Sequence, residues 1–252
     1  MKKIIAVVMT LVLMCGMLVS CENAESILAK ADEALTEAPY KLNMKLNFEC
    51  DNEELNQIFS LMNMDIPVSV DGENLAMDMS IDIMGVSASS KMVVADKVLY
   101  YDMEAMGQTA KMKASMTDEQ YEEFLEENNT EMMIKPEDFG ELTIESKDGK
   151  KYIACGKITD EALKELNDLM GESLSTLEAQ ASVSELTYGV TINNGKYEKM
   201  DMTCVYSVTV AEETCNVTFN LSAEYSYDNV EKITAPADAD SYQEIGYTDI
   251  MG

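Results

Sequence analysis

The chain has 252 residues, with 47 acidic residues, 18 lysines and no arginine, histidine or tryptophan, and its formal net charge is −29. The absence of histidine excludes Ser-His-Asp and Cys-His nucleophile pairs and imidazole metal ligands, and the absence of arginine excludes bidentate recognition of phosphate. The negative charge also repels nucleic acid and anionic lipid head groups, so neither is expected as a partner.

The first twenty residues have the pattern of an export signal. Two lysines precede an apolar run from Ile4 to Leu18, which is too short to span a membrane as a mature helix. The ending Leu-Val-Ser-Cys, residues 18–21, resembles the lipobox of bacterial lipoproteins. That resemblance implies cleavage before Cys21, a lipid on its thiol, and a protein tethered to the membrane outside the cytoplasm. An ordinary signal peptide with an unrelated cysteine is the alternative.

This interpretation divides the chain into a signal peptide (1–20), a lipidated tether (21–23), a single domain (24–240) and a loose C-terminal tail (241–252). Without the signal, 16 lysines stand against 47 acidic residues, a net charge of −31. Four cysteines follow Cys21, widely spaced and without a C-x-x-C motif. That spacing argues against a zinc site, and it leaves both disulfides and free thiols open.

The first predicted elements follow from the spacing of the apolar residues, which changes from a helical period to alternation. An apolar stripe predicts an amphipathic helix over 24–36, and strict alternation predicts a strand over 40–50. Asp51-Asn52 is then expected to cap a short helix that Pro67 ends.

A meander of strands comes next. Tight turns at 84–85 and 96–97 set apolar residues opposite one another at nearly every position, with Met77 opposite Met92 and Met92 opposite Tyr101. One more strand is expected after the meander. Because the predicted turns keep apolar residues opposite apolar residues, the pattern predicts a sheet with one buried face.

Helices and hairpins alternate in the middle of the chain. The Thr-x-x-Gln capping box at 117–120 predicts a helix over 118–127. A hairpin follows about Asp148-Gly149, and Thr159 is expected to cap a further helix whose first part ends at Gly171.

Three long alternating strands are predicted in the last third. A three-residue loop at 193–195, with its glycine left-handed, sets Tyr188 opposite Met200, whereas a two-residue turn would set apolar residues against polar ones. Parity therefore selects the three-residue loop. A second turn is predicted at 212–213.

These elements add up to an α+β domain of about ten or eleven antiparallel strands and three or four amphipathic helices. Because each strand is apolar on one face only, that face must be covered by helices, by closure of the sheet, or by something bound. Long strands linked by hairpins favour a strongly curved sheet, a half-barrel with helices packed on its concave side.

The order of the elements resembles the LolA-like and LppX-like bacterial lipoprotein superfamily, and in particular its uncharacterised Gram-positive members. The order is lipobox, helix, the Lys-Leu-Asn-Met-Lys-Leu strand at 41–46, the methionine-rich meander, and paired strands that end near 233–238. The segment Val98–Tyr101, followed by Met-Gly-Gln-Thr at 106–109 and Lys-Met-Lys at 111–113, is similar to a pattern in those members. The resemblance implies a half-barrel whose hydrophobic cavity holds acyl chains.

Candidate ligand-binding residues lie on the predicted apolar face. Thioether side chains repack readily around variable apolar ligands, although an ordinary methionine-rich core is the alternative interpretation. The candidates are Met44, Leu46, Phe48, Met77, Met79, Met92, Tyr101, Tyr188, Met200, Met202, Tyr206 and Phe219.

No metal, cofactor or enzymatic activity is expected. The chain has no methionine–histidine motif for copper(I), and the acidic pairs lack the glycine and terminal glutamate of a calcium loop. With 47 acidic residues any catalytic carboxylate pair is arbitrary, and the chain has no tryptophan to form a sugar platform.

Two functional hypotheses follow. The first is a membrane-anchored extracytoplasmic lipoprotein, from a Gram-positive bacterium, that binds or carries a lipid-like ligand in a half-barrel cavity. The second is a non-enzymatic envelope protein with a fully packed core that binds a protein partner at the cell surface.

Overall fold

A computed structural model describes residues 23–53, 56–57, 61, 63–83, 86–128, 140–155, 158–174, 179–210 and 213–248. The three helices in these ranges are α1 (Ala24–Glu37), α2 (Asp118–Asn128) and α3 (Asp160–Leu174), and a 3-10 turn spans Ala239–Ser241. The strands are β1 (Tyr40–Cys50), β2 (Met64–Asp71), β3 (Asn74–Ile83), β4 (Val86–Ala95), β5 (Val98–Ala105), β6 (Gln108–Ser115), β7 (Leu142–Lys147), β8 (Lys150–Cys155), β9 (Ala179–Asn193), β10 (Lys196–Val210), β11 (Glu213–Ser226) and β12 (Gln243–Glu244).

All twelve strands form one sheet in the order β12-β6-β5-β4-β3-β2-β1-β11-β10-β9-β8-β7. Every neighbouring pair is antiparallel except β12 and β6, which run parallel. The first strand, β1, therefore lies at the centre, because the N-terminal strands extend from one of its edges and β11 returns to the other. The predicted α+β class with an antiparallel sheet is confirmed, and the predicted number of strands was too low.

One strand missing from the prediction is β2. Pro67, expected to end a helix, instead lies inside this strand opposite Asn43. Pairing with β3 begins only at Val68, so β2 has a neighbour on one side at the proline, where the lost N–H costs least. The predicted helix before it falls mostly outside the described residues.

The helix caps agree with the sequence. Thr117 and Gln120 exchange the two hydrogen bonds of a capping box, at 2.9 and 3.2 Å, and Thr159 accepts the Ala162 N–H at 3.3 Å. α3 nevertheless continues through Gly171, so the prediction that its first part ends there was wrong.

The meander also agrees with the sequence. Met77 pairs with Met92 and Met92 with Tyr101, as the predicted turns require. Asp96 and Lys97 both have positive φ, 52° and 63°, the conformation of a two-residue type I′ hairpin turn.

The turn between β9 and β10 differs from the prediction. The three-residue loop at 193–195 is wrong, because Asn-Gly at 194–195 forms a two-residue turn with φ of 52° and 75°. A bulge at Glu198 supplies the extra residue, so Met200 lies opposite Val190. Apolar residues still lie opposite apolar residues, but the register differs from the predicted one by two residues.

The register between β10 and β11 also differs from the predicted one by two residues. Val210 pairs with Glu213, and the turn predicted at 212–213 is therefore wrong. Cys204 consequently lies opposite Phe219 and Tyr206 opposite Val217.

The registers place the apolar side chains of all the long strands on one face of the sheet, here called the apolar face. α1 packs on it over β8 to β10, in a buried cluster that includes Leu28, Ile153 and Leu186. α2 packs on it over β4 and β5, where Phe124 contacts the cluster of Val94 and its neighbours. The described helices thus bury the two flanks of the apolar face.

The opposite, polar face is covered locally by the C-terminal segment. Ile233 and Tyr242 pack against Val93 and Tyr100, and the two tyrosine rings meet edge-on at 5.5 Å. The prediction of a loose tail over 241–252 therefore fails at its start, where Tyr242 is buried and β12 extends the sheet.

Candidate functional site: an apolar patch at the centre of the sheet

A third buried cluster, of Tyr40, Leu42, Ile66, Val68 and Ala223, lies at the centre of the sheet. Beside it, the apolar face carries a group of half-buried side chains on β1 to β5, β10 and β11. We call this group the central patch. Its members are Met44, Leu46, Phe48, Met64, Met77, Met79, Met92, Tyr101, Met202, Tyr206, Phe219 and Leu221.

Strand register joins these side chains into continuous rows. Met64, Leu46, Leu221 and Met202 stand directly opposite one another across β2, β1, β11 and β10. Four adjacent strands with about 4.8 Å between them give such a row a length of roughly 14 Å. An extended apolar group of that length could lie along it.

Aromatic rings adjoin this row at the β1–β11 pair. Phe48 and Phe219 are paired across the two strands, with ring centroids 5.0 Å apart and planes tilted by 38°. Both rings are only half-buried. Their tilted contact fixes a rigid apolar surface beside the flexible methionines.

The other half of the patch is a row on the N-terminal side of the sheet. Met77, Met92 and Tyr101 are paired in turn across β3, β4 and β5. All three side chains are half-buried. The patch therefore crosses the centre of the sheet from β10 to the strands next to α2.

Three of the predicted ligand-binding residues contact the α1 flank. Tyr188 is buried in the cluster beneath α1, and Met200 and Met202 pack against the same cluster. Met202 lies where this flank adjoins the central patch, and the other nine predicted residues lie within the patch, where register and not sequence proximity makes them neighbours.

A cluster of tyrosines lies at one end of the patch, where α1 meets the sheet. Burial raises the pKa of Tyr188, Tyr197 and Tyr225, and raises that of Tyr227 to about 12. The Tyr197 hydroxyl donates a 2.6 Å hydrogen bond to the Asp32 carboxylate of α1. The hydroxyls therefore stay uncharged at neutral pH. The members of the cluster are Tyr40, Tyr188, Tyr197, Tyr225 and Tyr227.

Sequence reasoning missed Tyr197 for a specific reason. Without the bulge at Glu198, strand alternation places Tyr197 on the face opposite Met200. The bulge turns it to the apolar face, where it is 3% exposed. The available signal was the Asn-Gly pair at 194–195, which strongly favours a two-residue turn and hence requires a bulge.

A cavity of about 320 Å³ lies on the other face of the sheet, and none of the predicted ligand-binding residues lines it. The Lys111 ammonium bridges the carboxylates of Asp102 and Asp238, at 3.0 and 2.7 Å, and lies 5.3 Å from the centre of the Tyr242 ring. These contacts fasten the C-terminal segment to β5 and β6. The lining residues are Lys91, Val93, Asp102, Lys111, Thr234, Pro236, Ala237, Asp238 and Tyr242.

The predicted lipid site, and the features of a metal site or a membrane helix, can be compared with the described residues. Cys21, the predicted lipid site, lies outside the described residues. Within the described ranges, no group of three or more acidic or cysteine side chains could hold a metal ion, and no helix is long and apolar enough to cross a membrane.

The fold is thus an α+β domain built on a twelve-stranded, mostly antiparallel sheet. Residues 23–244 match the family described as Family of unknown function (DUF6612), and the chain belongs to that family. The match begins at the residue that caps α1 and ends with β12, so it covers the entire described sheet. A comparison with curated proteins gives no match.

Proposed function

We propose that this protein is an extracytoplasmic lipoprotein, anchored to the cell membrane through a lipid on Cys21, that binds or carries a lipid-like ligand on the central patch. The observation that carries the proposal is the row of half-buried apolar side chains between the two helix-covered flanks. A contiguous apolar surface of this kind is typical of binding sites.

The composition of the patch favours an acyl chain over a rigid ligand. Unbranched, polarizable methionine side chains adapt to flexible apolar partners, and the row across β2, β1, β11 and β10 is straight and long enough for one chain. We further propose that the sheet is curved around this ligand as a half-barrel, with the helices on its concave side.

The charge of the protein restricts the ligand further. A net charge of −29 opposes anionic head groups, so the proposed ligand is neutral or zwitterionic at its polar end. In this proposal the acyl chain of the ligand lies on the methionines of the central patch.

Two neighbouring residues of β1 provide the test. Leu46 is half-buried on the patch, whereas Asn47 is exposed on the polar face. In full-length protein from a bacterial envelope, Leu46→Trp should lower affinity for a fluorescent acyl probe at least tenfold, because the indole fills the row. Asn47→Trp should leave the affinity unchanged. Native mass spectrometry of the same samples reports any bound lipid and the diacylglycerol mass expected on Cys21.

Two outcomes would reject ligand binding. Wild-type protein that carries no lipid mass and takes up no probe would contradict it, as would equal binding by the two tryptophan variants. The first outcome would favour the second hypothesis, a surface protein with a packed core that binds a protein partner.

A further inference from the structure

Two of the four described cysteines lie beside each other at the end of the central strands. Cys50 is the last residue of β1, and its pairing partner on β11 is Val217. Cys215 is two residues before Val217 on the same strand and therefore on the same face. Cys50 and Cys215 are thus diagonal cross-strand neighbours, with Cα atoms about 7–8 Å apart and Cβ atoms somewhat closer.

The backbone around the pair is held firmly in register. The Asp51 carboxylate accepts hydrogen bonds from the backbone N–H and the side-chain amide of Asn216, at 2.9 and 2.8 Å. The Asp51 N–H donates to the Asn216 carbonyl at 3.1 Å. Burial first, and then the neighbouring Cys50 side chain, raises the pKa of the Cys215 thiol, so the two side chains lie close together.

No other pair of these cysteines is as close. Every other pair except Cys204 and Cys215 has at least one strand between its members, which separates them by about 10 Å or more. Cys204 and Cys215 lie on neighbouring strands, but Cys215 is opposite Val208, about 13 Å along the strand from Cys204. Disulfide-bonded cysteines usually have Cα atoms about 4.4–6.8 Å apart, and Cys50 and Cys215 are the pair that comes nearest to that distance.

We propose that Cys50 and Cys215 form a disulfide when the protein meets an oxidising thiol–disulfide partner, and that this bond fastens the end of β1 to β11. All four described cysteines are free thiols in the structure. The inference does not depend on ligand binding.

The reaction is ordinary thiol–disulfide exchange with an external disulfide. Cys50 is half-buried and Cys215 buried, and burial raises the pKa of the Cys215 thiol, so Cys50 attacks first. Its thiolate displaces one thiolate of the external disulfide and forms a mixed disulfide. Cys215 then attacks the Cys50 sulfur and displaces the second. The two protons of the protein thiols end on the two released thiols, and the external disulfide gains two electrons.

The test uses full-length protein, reduced and then exposed to oxidised glutathione while folded. After alkylation and non-reducing digestion, mass spectrometry should recover one major cross-linked peptide pair, containing Cys50 and Cys215. Cys204→Ser should keep this cross-link and Cys50→Ser should abolish it. In wild-type protein, oxidation should raise the melting temperature by about 5–10 °C, because the bond closes a long loop.

Three results would overturn the proposal. One is recovery of both peptides fully alkylated after oxidation, and another is an equally abundant cross-link that contains Cys155 or Cys204. The third is a melting temperature that oxidation lowers in the wild type. Since wild-type protein supplies all three measurements, a variant that fails to fold does not affect the conclusion.

Discussion

The α1 flank and the central patch belong to the same face of the same sheet, yet they differ in burial. Beneath α1, Ile153 is fully buried and Leu186 nearly so. In the patch, Phe219 and Leu221 are half-buried although they have the same strand alternation. Alternation therefore selects the face of a side chain, whereas the helix above it decides whether that side chain is core or surface.

The largest expected effect is a difference in stability between two truncations, one beneath α1 and one in the central patch. Ile153→Ala should lower the free energy of unfolding by about 3–4 kcal/mol, because it removes buried methyl groups and leaves a closed cavity. Leu221→Ala should cost only about 1 kcal/mol, since its half-buried side chain loses less apolar contact. Urea unfolding measures both values. Equal losses would show that the patch is ordinary core.

A smaller effect is expected where the tyrosine cluster joins the two regions. Tyr197→Phe should lower the free energy of unfolding by about 1–2 kcal/mol at pH 7, because it removes the 2.6 Å hydrogen bond to Asp32. Tyr152→Phe, at a 37% exposed position, is the control and should change it by less than about 0.5 kcal/mol.

The same variant should alter the response to alkaline pH. Burial first, and then the hydrogen bond to Asp32, raises the pKa of Tyr197 above its ordinary 10.0. A raised folded-state pKa contributes stability that is complete below about pH 10 and is lost as the pH rises further, because the unfolded chain ionises first. Stability should therefore fall less steeply above pH 10 in Tyr197→Phe than in the wild type. Parallel curves would contradict this account.

The smallest effect is expected on the polar face, where ion pairs and not a helix provide the cover. Lys111→Gln removes the ammonium between Asp102 and Asp238, whose exposure limits its contribution. Hydrogen exchange of the Tyr242 and Ile245 amides should quicken roughly two- to threefold at low salt, and less at high salt. An exchange rate independent of Lys111 would mean that the packing of Tyr242 alone holds the segment.

Much of the fold was predictable because its signals are local. Period and capping predicted α1, α2 and the start of α3, and parity predicted the β3–β4–β5 registers. β2 was missed because a proline normally ends an element, and only the incomplete pairing with β3 makes Pro67 acceptable there. The β9–β10 register was missed because parity does not distinguish a longer loop from a bulge at Glu198.

The sequence by itself determined which side chains share the apolar face and that this face is rich in methionine, since strand alternation is a property of the backbone alone. Only the tertiary structure decided which of them become core, because that depends on where α1 and α2 settle across strands distant in the chain. It also decided that Cys50 and Cys215, 165 positions apart in sequence, are neighbours, because β11 returns from the far end of the chain to pair with β1.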